Sequence, residues 1–334
     1  MTFVTPMLRA AGRVLSPGGR RGKLTILTYH RVLPEHAPVL DFEQVDVKKF
    51  AAHMRAVASC FNVLPLPEAM ERMQAGTLPP RALAITFDDG YRDNYTEALP
   101  ILQSLSLPAT FFICTGYLDE GLMFNDVIVE ALRRSHKSEL DLSWIGLGVQ
   151  PVVGMVSRRK LAARFLNAVK YLPFNEREQA CARLWDIAHP GARLPTDLMM
   201  SQEQVRSMAA QGMTIGGHTH SHPILKQISL DAARADIITN RQHLQDLVGE
   251  APRVFAYPNG RPQTDYQYDH VQLLRSVGFE GAVTTAWGVA TRACDPYQLP
   301  RFAPWDQDAK RLVLRLLKNA VTGQHPLTVQ PPQS

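Results

Sequence analysis

From Lys23 onward, short apolar runs alternate with segments whose apolar residues recur every three to four positions. Runs at 24–29, 82–87, 109–114, 213–216, 253–257 and 281–285 predict strands, with shorter ones at 62–64 and 298–302. Helical spacing marks 47–60, 94–105, 202–210, 230–248, 268–277 and 308–321. Strand and helix alternating at this rhythm build a parallel sheet, and the number of units points to an α/β fold, a distorted (β/α) barrel of about seven to eight strands. The interval 117–200 is too long for one crossover. It holds helical pieces at 127–134 and 158–172, a glycine-interrupted run at 144–156 and a turn-rich stretch at 189–195. It is expected to be a largely helical insertion on the barrel that shapes one wall of a cleft.

Ahead of the barrel, Phe3, Val4, Met7, Leu8, Ala11, Val14 and Leu15 recur at helical spacing while Arg9 and Arg13 fall on other faces. Ser16-Pro17-Gly18-Gly19 then breaks the pattern. The expected organisation is a basic amphipathic arm and linker over 1–22, the barrel with its insertion over 23–322, and a disordered tail over 323–334. Such an arm either lies on an anionic membrane surface or docks on its own domain.

Composition excludes several classes. Of 334 residues 45% are hydrophobic and 20% charged, enough for a sizeable core and against wholesale disorder. No stretch approaches the roughly 18 uncharged apolar residues of a spanning helix, and no secretory signal is recognisable, so the expected location is cytoplasmic or peripheral to the inner membrane. The net charge of +5 does not mark a nucleic-acid binder. Residues 1–31 contain six basic and no acidic residues, which leaves 30 basic against 31 acidic in the remainder. Cys60, Cys114, Cys181 and Cys294 are widely spaced, form no C-x-x-C pair and read as reduced packing residues.

Two local patterns carry chemistry. Ala84-Ile85-Thr86-Phe87-Asp88-Asp89-Gly90 is an apolar strand that ends in two carboxylates and a glycine. Neighbouring side chains at a strand end point in different directions, so one carboxylate can bind a cation while the other faces substrate or water. By itself the pattern also reads as an acidic helix cap. His218-Thr219-His220-Ser221-His222 follows a second strand, and an i, i+4 pair in a helical turn brings His218 and His222 to one side. His220 lies off that face, and a histidine-rich loop alone also reads as adventitious. Together, Asp89, His218 and His222 make a two-histidine, one-carboxylate set with open positions for one divalent metal ion. Zinc is the best match, with cobalt, nickel or iron as other fits. Asp88 is then placed to act as general base.

These motifs, with the following Phe255-Ala256-Tyr257-Pro258-Asn259-Gly260, resemble the first three signatures of the polysaccharide deacetylases, the NodB-homology group of carbohydrate esterase family 4. The resemblance covers 23–115 and 200–305. It implies a distorted (β/α) barrel and metal-dependent hydrolysis of N-acetyl groups from amino sugars, with Asp88 as base and Asp89, His218 and His222 as ligands. Tyr257, Pro258 and Asn259 are expected to bind substrate, with the oxyanion held by the metal and by a backbone N–H near Tyr257. The third motif departs from its common R-x-P-Y-G form, with Ala256 at the arginine position and Asn259 at the tyrosine position. Arg301, at the end of a late strand, is the nearest candidate to orient Asp88, although it also reads as a surface cation.

The general acid of the family comes from an L-x-H late in the chain, but His325 follows a helix in a Pro- and Gln-rich tail. Tyr29-His30-Arg31-Val32 instead ends the first strand, and in a closed barrel first and last strands are neighbours. This resembles the permuted subgroup acting on poly-N-acetylglucosamine exopolysaccharides and implies His30 as acid; the alternative is a histidine that merely ends a buried strand. The expected partner is an N-acetylated polysaccharide or a lipid-linked oligosaccharide, with no nucleic acid. Phe124, Tyr257, Trp287 and Trp305 could line a sugar groove, though barrel aromatics are more often core. Two rivals stay open: a metal-dependent O-acetyl esterase or amidase on the same fold, and a catalytically degenerate polysaccharide-binding domain. The absence of a G-x-S-x-G elbow disfavours a serine esterase.

Overall fold

The computed structural model describes residues 4–34, 45–323 and 327–331. Seven parallel strands form its centre: β1 (Lys23–Tyr29), β2 (Ala82–Phe87), β3 (Thr110–Ile113), β4 (Thr214–Gly217), β5 (Val254–Ala256), β6 (Gly281–Trp287) and β7 (Leu299–Arg301). They pair in chain order. Closure is made next to β7: Phe302 N donates to Ile26 O at 2.8 Å and Thr28 N to Phe302 O at 3.1 Å. The first and last strands are therefore neighbours. Asn62–Val63 adds to the edge of β2 and Ala290–Thr291 pairs antiparallel with the start of β1, completing a nine-stranded sheet.

The two-residue period of β2 sets the site. Leu83, Ile85 and Phe87 pack outward in one apolar cluster, Ala82 and Ala84 pack inside the barrel in another, and all are buried. Continuing the inward series through Thr86 brings Asp88 to the mouth of the barrel. On β7 the same parity carries Leu299, inside, to Arg301.

The helices are α1 (Val4–Leu15), α2 (Val47–Cys60), α3 (Leu66–Ala75), α4 (Leu99–Ser104), α5 (Phe124–Arg134), α6 (Gly154–Val169), α7 (Phe174–Ala188), α8 (Gln202–Ala210), α9 (Leu230–Val248), α10 (Tyr268–Val277) and α11 (Ala309–Thr322). α2, α8, α9 and α10 coincide with the sequence pattern. Asp46, Ser201, Ser229 and Asp308 cap α2, α8, α9 and α11 through side chains that accept a backbone N–H of the first turn. Two helices escaped the pattern. α3 carries Pro67 in its first turn, where the missing N–H costs nothing but the residue reads as a breaker. α7 buries Arg177 along with Ala180, Cys181, Leu184, Trp185 and Ala188, so a charged residue occupies its apolar stripe. The expected helix at 94–105 is split into a π-turn over Asn94–Ala98 followed by α4, with Pro100 in the first turn of α4.

In the insertion, α5, α6 and α7 enclose an apolar cluster of their own with a hairpin of Glu139–Leu142 and Gly148–Pro151. At the other end of the chain order, α1 is docked: Leu8 and Leu15 pack on the main core, and α1 touches both α2 and α11. Lys23 Nζ donates to Leu15 O at 3.0 Å and Ala320 O at 2.6 Å, fastening the ends of α1 and α11. None of the described helices is long and apolar enough to cross a membrane. The four cysteines are all free thiols.

Candidate active site

At the end of β2 the chain turns through Asp89 at φ +78° and Gly90 at φ +95°, which separates the two carboxylates. Asp88 is buried and meets Arg301 in a bidentate pair, Nη1 to Oδ1 at 2.7 Å and Nη2 to Oδ2 at 2.6 Å. Arg301 is itself buried. Its Nε donates to Thr284 O at 2.9 Å and its Nη1 also to Thr86 Oγ1 at 3.2 Å, so the fork is held from behind. Burial pushes the Asp88 carboxyl up, yet the guanidinium charge and its hydrogen bonds outweigh it and leave the pKa below the usual carboxylate value.

Asp89 faces the histidines. Its Oδ1 lies 3.1 Å from His218 Nε2 and 3.4 Å from His222 Nε2. Residues 218–222 are not helical. β4 ends at Gly217, and left-handed residues at Thr219 (φ +66°) and His222 (φ +50°) bend the loop so that the two rings meet at 5.0 Å. The sequence expectation of a helical turn is thus corrected: a tight bend delivers the same convergence. α9 holds it. Asn240 accepts from His218 N at 3.2 Å and donates to Thr219 O at 2.6 Å, while Asp236, one turn earlier, accepts from His220 N at 2.6 Å and Ser221 N at 3.1 Å. A Cβ on Gly217 would meet Asn240 Oδ1 at 2.9 Å and the Phe279 ring at 3.0 Å, so the approach of α9 requires glycine there. His220 turns away to Thr115 Oγ1, 3.0 Å from its Nδ1.

The ligand atoms of Asp89, His218 and His222 lie within 4.8 Å of one another, as a shared cation needs. His218 Nδ1 is 2.8 Å from Ala256 O and must carry the proton to bond it, which leaves the Nε2 lone pair facing Asp89. Burial pushes His222 down to about 4, favouring the neutral imidazole that binds metals. The buried donor set fits a divalent metal of the zinc type.

These residues open into a cavity of about 990 Å³ at the mouth of the barrel. One wall comes from the insertion, where Arg159, Ala162, Ala163, Leu166, Asn167 and Lys170 present one face of α6 and its end. Trp287 and Trp305 also line the cavity, 47% and 59% exposed, and Trp305 stacks parallel to Phe302.

Residues 75–282 match the family described as polysaccharide deacetylase. The chain belongs to the polysaccharide deacetylases. Among curated proteins, YxkH of Bacillus subtilis (strain 168) is 21% identical over 281 residues, 84% of this chain and 70% of YxkH. The deacetylase PplD of Streptococcus pyogenes, solved in complex with acetate, superposes with a TM-score of 0.58 at 20% identity, covering 89% of this chain and 99% of that one. IcaB from Ammonifex degensii gives 0.54 at 19%, covering 89% and 98%. The barrel closure described above is thus the NodB-like (β/α) deacetylase fold.

His30 lines the cavity with Nε2 3.9 Å from Asp88 Oδ2, and its side chain is 30% exposed. His325 lies outside the described residues. Tyr257 spends its N–H on Val283 O at 3.3 Å and its hydroxyl on Tyr297 O at 3.1 Å, while its ring stacks on Tyr266 at 3.9 Å. Pro258 has no N–H to offer, and its carbonyl accepts from Gly260 N at 2.6 Å. Asn259, at φ +56°, lines the cavity, and its Nδ2 is buried with no hydrogen-bond partner. Of the turn's side-chain polar groups, that amide is the one left for a ligand.

Sequence reasoning missed Asp126, which the first turn of α5 buries in the cavity wall; no local motif announces it. The Tyr91 hydroxyl sits 3.1 Å from both its oxygens. Burial drives the Asp126 carboxyl up to about 7, with Arg31 opposing and the charges of Asp89 and Glu130 adding to it. The folded protein therefore keeps this proton over a pH range in which the unfolded chain, near 4, has lost it. Stability is lost as pH rises between those values, by up to about 4 kcal/mol. Asp126→Asn removes the penalty: its Tm advantage over the parent grows from pH 5 to pH 8 in thermal unfolding. An advantage that shrinks with pH would contradict the buried, protonated carboxyl.

Proposed function

We propose that this deacetylase is a metal-dependent hydrolase that removes N-acetyl groups from an amino-sugar polysaccharide or its lipid-linked precursor and releases acetate. The observation that carries the reading is the bidentate Arg301–Asp88 pair beside the Asp89, His218 and His222 cluster in one cavity. A binding module has no use for an oriented base next to a ligand triad, which disfavours the degenerate reading. The chemistry a divalent cation supplies at such a site is polarisation of the amide carbonyl and acidification of a water.

The chain's own groups do the rest. Asp88, held ionised by Arg301, takes the proton of the attacking water. Developing negative charge on the carbonyl oxygen is met by the Asn259 amide of the Tyr257-Pro258-Asn259 turn. His30, across Asp88, hands a proton to the departing nitrogen so that the C–N bond breaks to a free amine. Trp287 and Trp305 give apolar faces for pyranose rings, in keeping with a sugar substrate of the poly-N-acetylglucosamine kind. Acetylated chito-oligosaccharide should be turned over in preference to acetylated xylan or simple amides. Preference for the xylan ester would favour the O-acetyl esterase reading.

The metal assignment has its own test. The double variant His218→Ala, His222→Ala is expected to lose stoichiometric metal and activity together while circular dichroism stays that of the parent. One tightly bound equivalent remaining in that variant would place the ion elsewhere.

A further inference from the structure

α1, α2 and α11 pack on one another along the side of the barrel. Together they contain nine of the chain's 36 basic residues and none of its 31 acidic ones. Arg315 is turned inward, with Nη1 2.9 Å from Asp306 Oδ2 and its guanidinium 3.7 Å from the Trp305 ring centroid. Arg9, Arg13, Arg55, Lys310, Arg311 and Lys318 are exposed.

Apolar side chains stand among these cations. On α1 the stripe of Leu8 and Leu15 packs on the core, and a second stripe, Met7 and Val14, is left 74% and 78% exposed. On α11, Leu314 and Val321 are each 48% exposed, seven residues apart and so on one face, with Lys318 between them. A surface dominated by positive charge, with acidic residues only at the Asp46 and Asp308 caps of α2 and α11 and with protruding apolar side chains, is suited to an anionic lipid bilayer. The cations meet headgroups, and the methionine, valines and leucine reach the acyl boundary. A soluble polyanion would satisfy the cations but not the apolar residues.

We propose that α1, α2 and α11 form one composite docking surface for an anionic membrane. The sequence pattern located this property in residues 1–22 alone; the fold makes α1 one third of a surface whose other helices come from near both ends of the barrel. Removing the arm is then a poor test, because α1 is fastened to the body through Lys23 and the core.

The experiment is co-sedimentation of the full chain with phosphatidylcholine vesicles, with and without phosphatidylglycerol, at low and high salt. The parent should bind only the phosphatidylglycerol vesicles and release as salt rises. The triple variant Lys310→Glu, Arg311→Glu, Lys318→Glu should bind at least about tenfold more weakly although α1 is untouched. Val14→Gln with Leu314→Gln, which remove apolar surface without adding charge, should weaken vesicle binding and leave heparin binding unchanged. Activity on a soluble oligosaccharide should persist in every variant, which controls for folding. No binding by the parent, parental binding by the triple variant, or no effect of the two glutamines would each overturn the proposal. The second outcome returns the property to the arm, and the third makes the surface a polyanion site.

Discussion

Asp88→Asn is expected to cut turnover by about 10²-fold or more while one equivalent of metal stays bound, and Asp89→Asn to lose the metal itself. The asymmetry follows from where the turn after Phe87 sends the two carboxylates. Asp88 spends both oxygens on the Arg301 fork, and Asp89 turns Oδ1 to the two histidines. An asparagine at position 88 keeps the shape but has only one acceptor oxygen for the fork and cannot take a proton from water. Metal content by elemental analysis, read beside kcat, separates the roles. If Asp88→Asn strips the metal and Asp89→Asn spares it, the two assignments are reversed. Arg301→Lys offers a point charge in place of a planar fork and should lower kcat more than it raises KM, since it disturbs the base and not the substrate wall.

How far this site could be read in the sequence depends on how local each signal is. The Asp88-Asp89-Gly90 turn and the histidine loop are contiguous, and each follows a strand whose apolar run is unmistakable, so their residues were identifiable one by one. The means of bringing His218 and His222 together was not, because i, i+4 spacing is shared by a helix and by a bend with two left-handed residues. Arg301 lies 213 positions from its partner; only the idea that strand ends converge at a barrel mouth pointed to it. Asp126 had no such guide. It reaches the cavity because α5 folds back from the insertion, a tertiary event with no trace in the residues around it. α7 was hidden for a related reason, since a buried Arg177 stacked 4.1 Å over Phe124 looks in sequence like a surface cation. The registers of β1 and β2, by contrast, follow from apolar runs flanked by polar turns, and those boundaries agree within one residue.

His30→Ala is expected to lower amide hydrolysis by about 10²-fold or more with metal content unchanged, and to lower hydrolysis of an activated ester far less. The difference lies in the leaving group: an amine must be protonated before the C–N bond can break, whereas a stabilised alkoxide departs without a proton. His30 is suited to this by its place at the end of β1. β1 lies beside the last barrel strand, which carries Arg301, so the histidine from the beginning of the chain and the arginine from near its end flank the same carboxylate, His30 Nε2 at 3.9 Å from Asp88 Oδ2. Its partial exposure, 30% of the side chain, leaves it in reach of solvent between turnovers. His325→Ala should behave as the parent. An inactive His325→Ala beside an active His30→Ala would mean that the acid comes from the C-terminal segment. An equal loss on amide and ester by His30→Ala would make His30 a residue that positions substrate instead of one that delivers the proton.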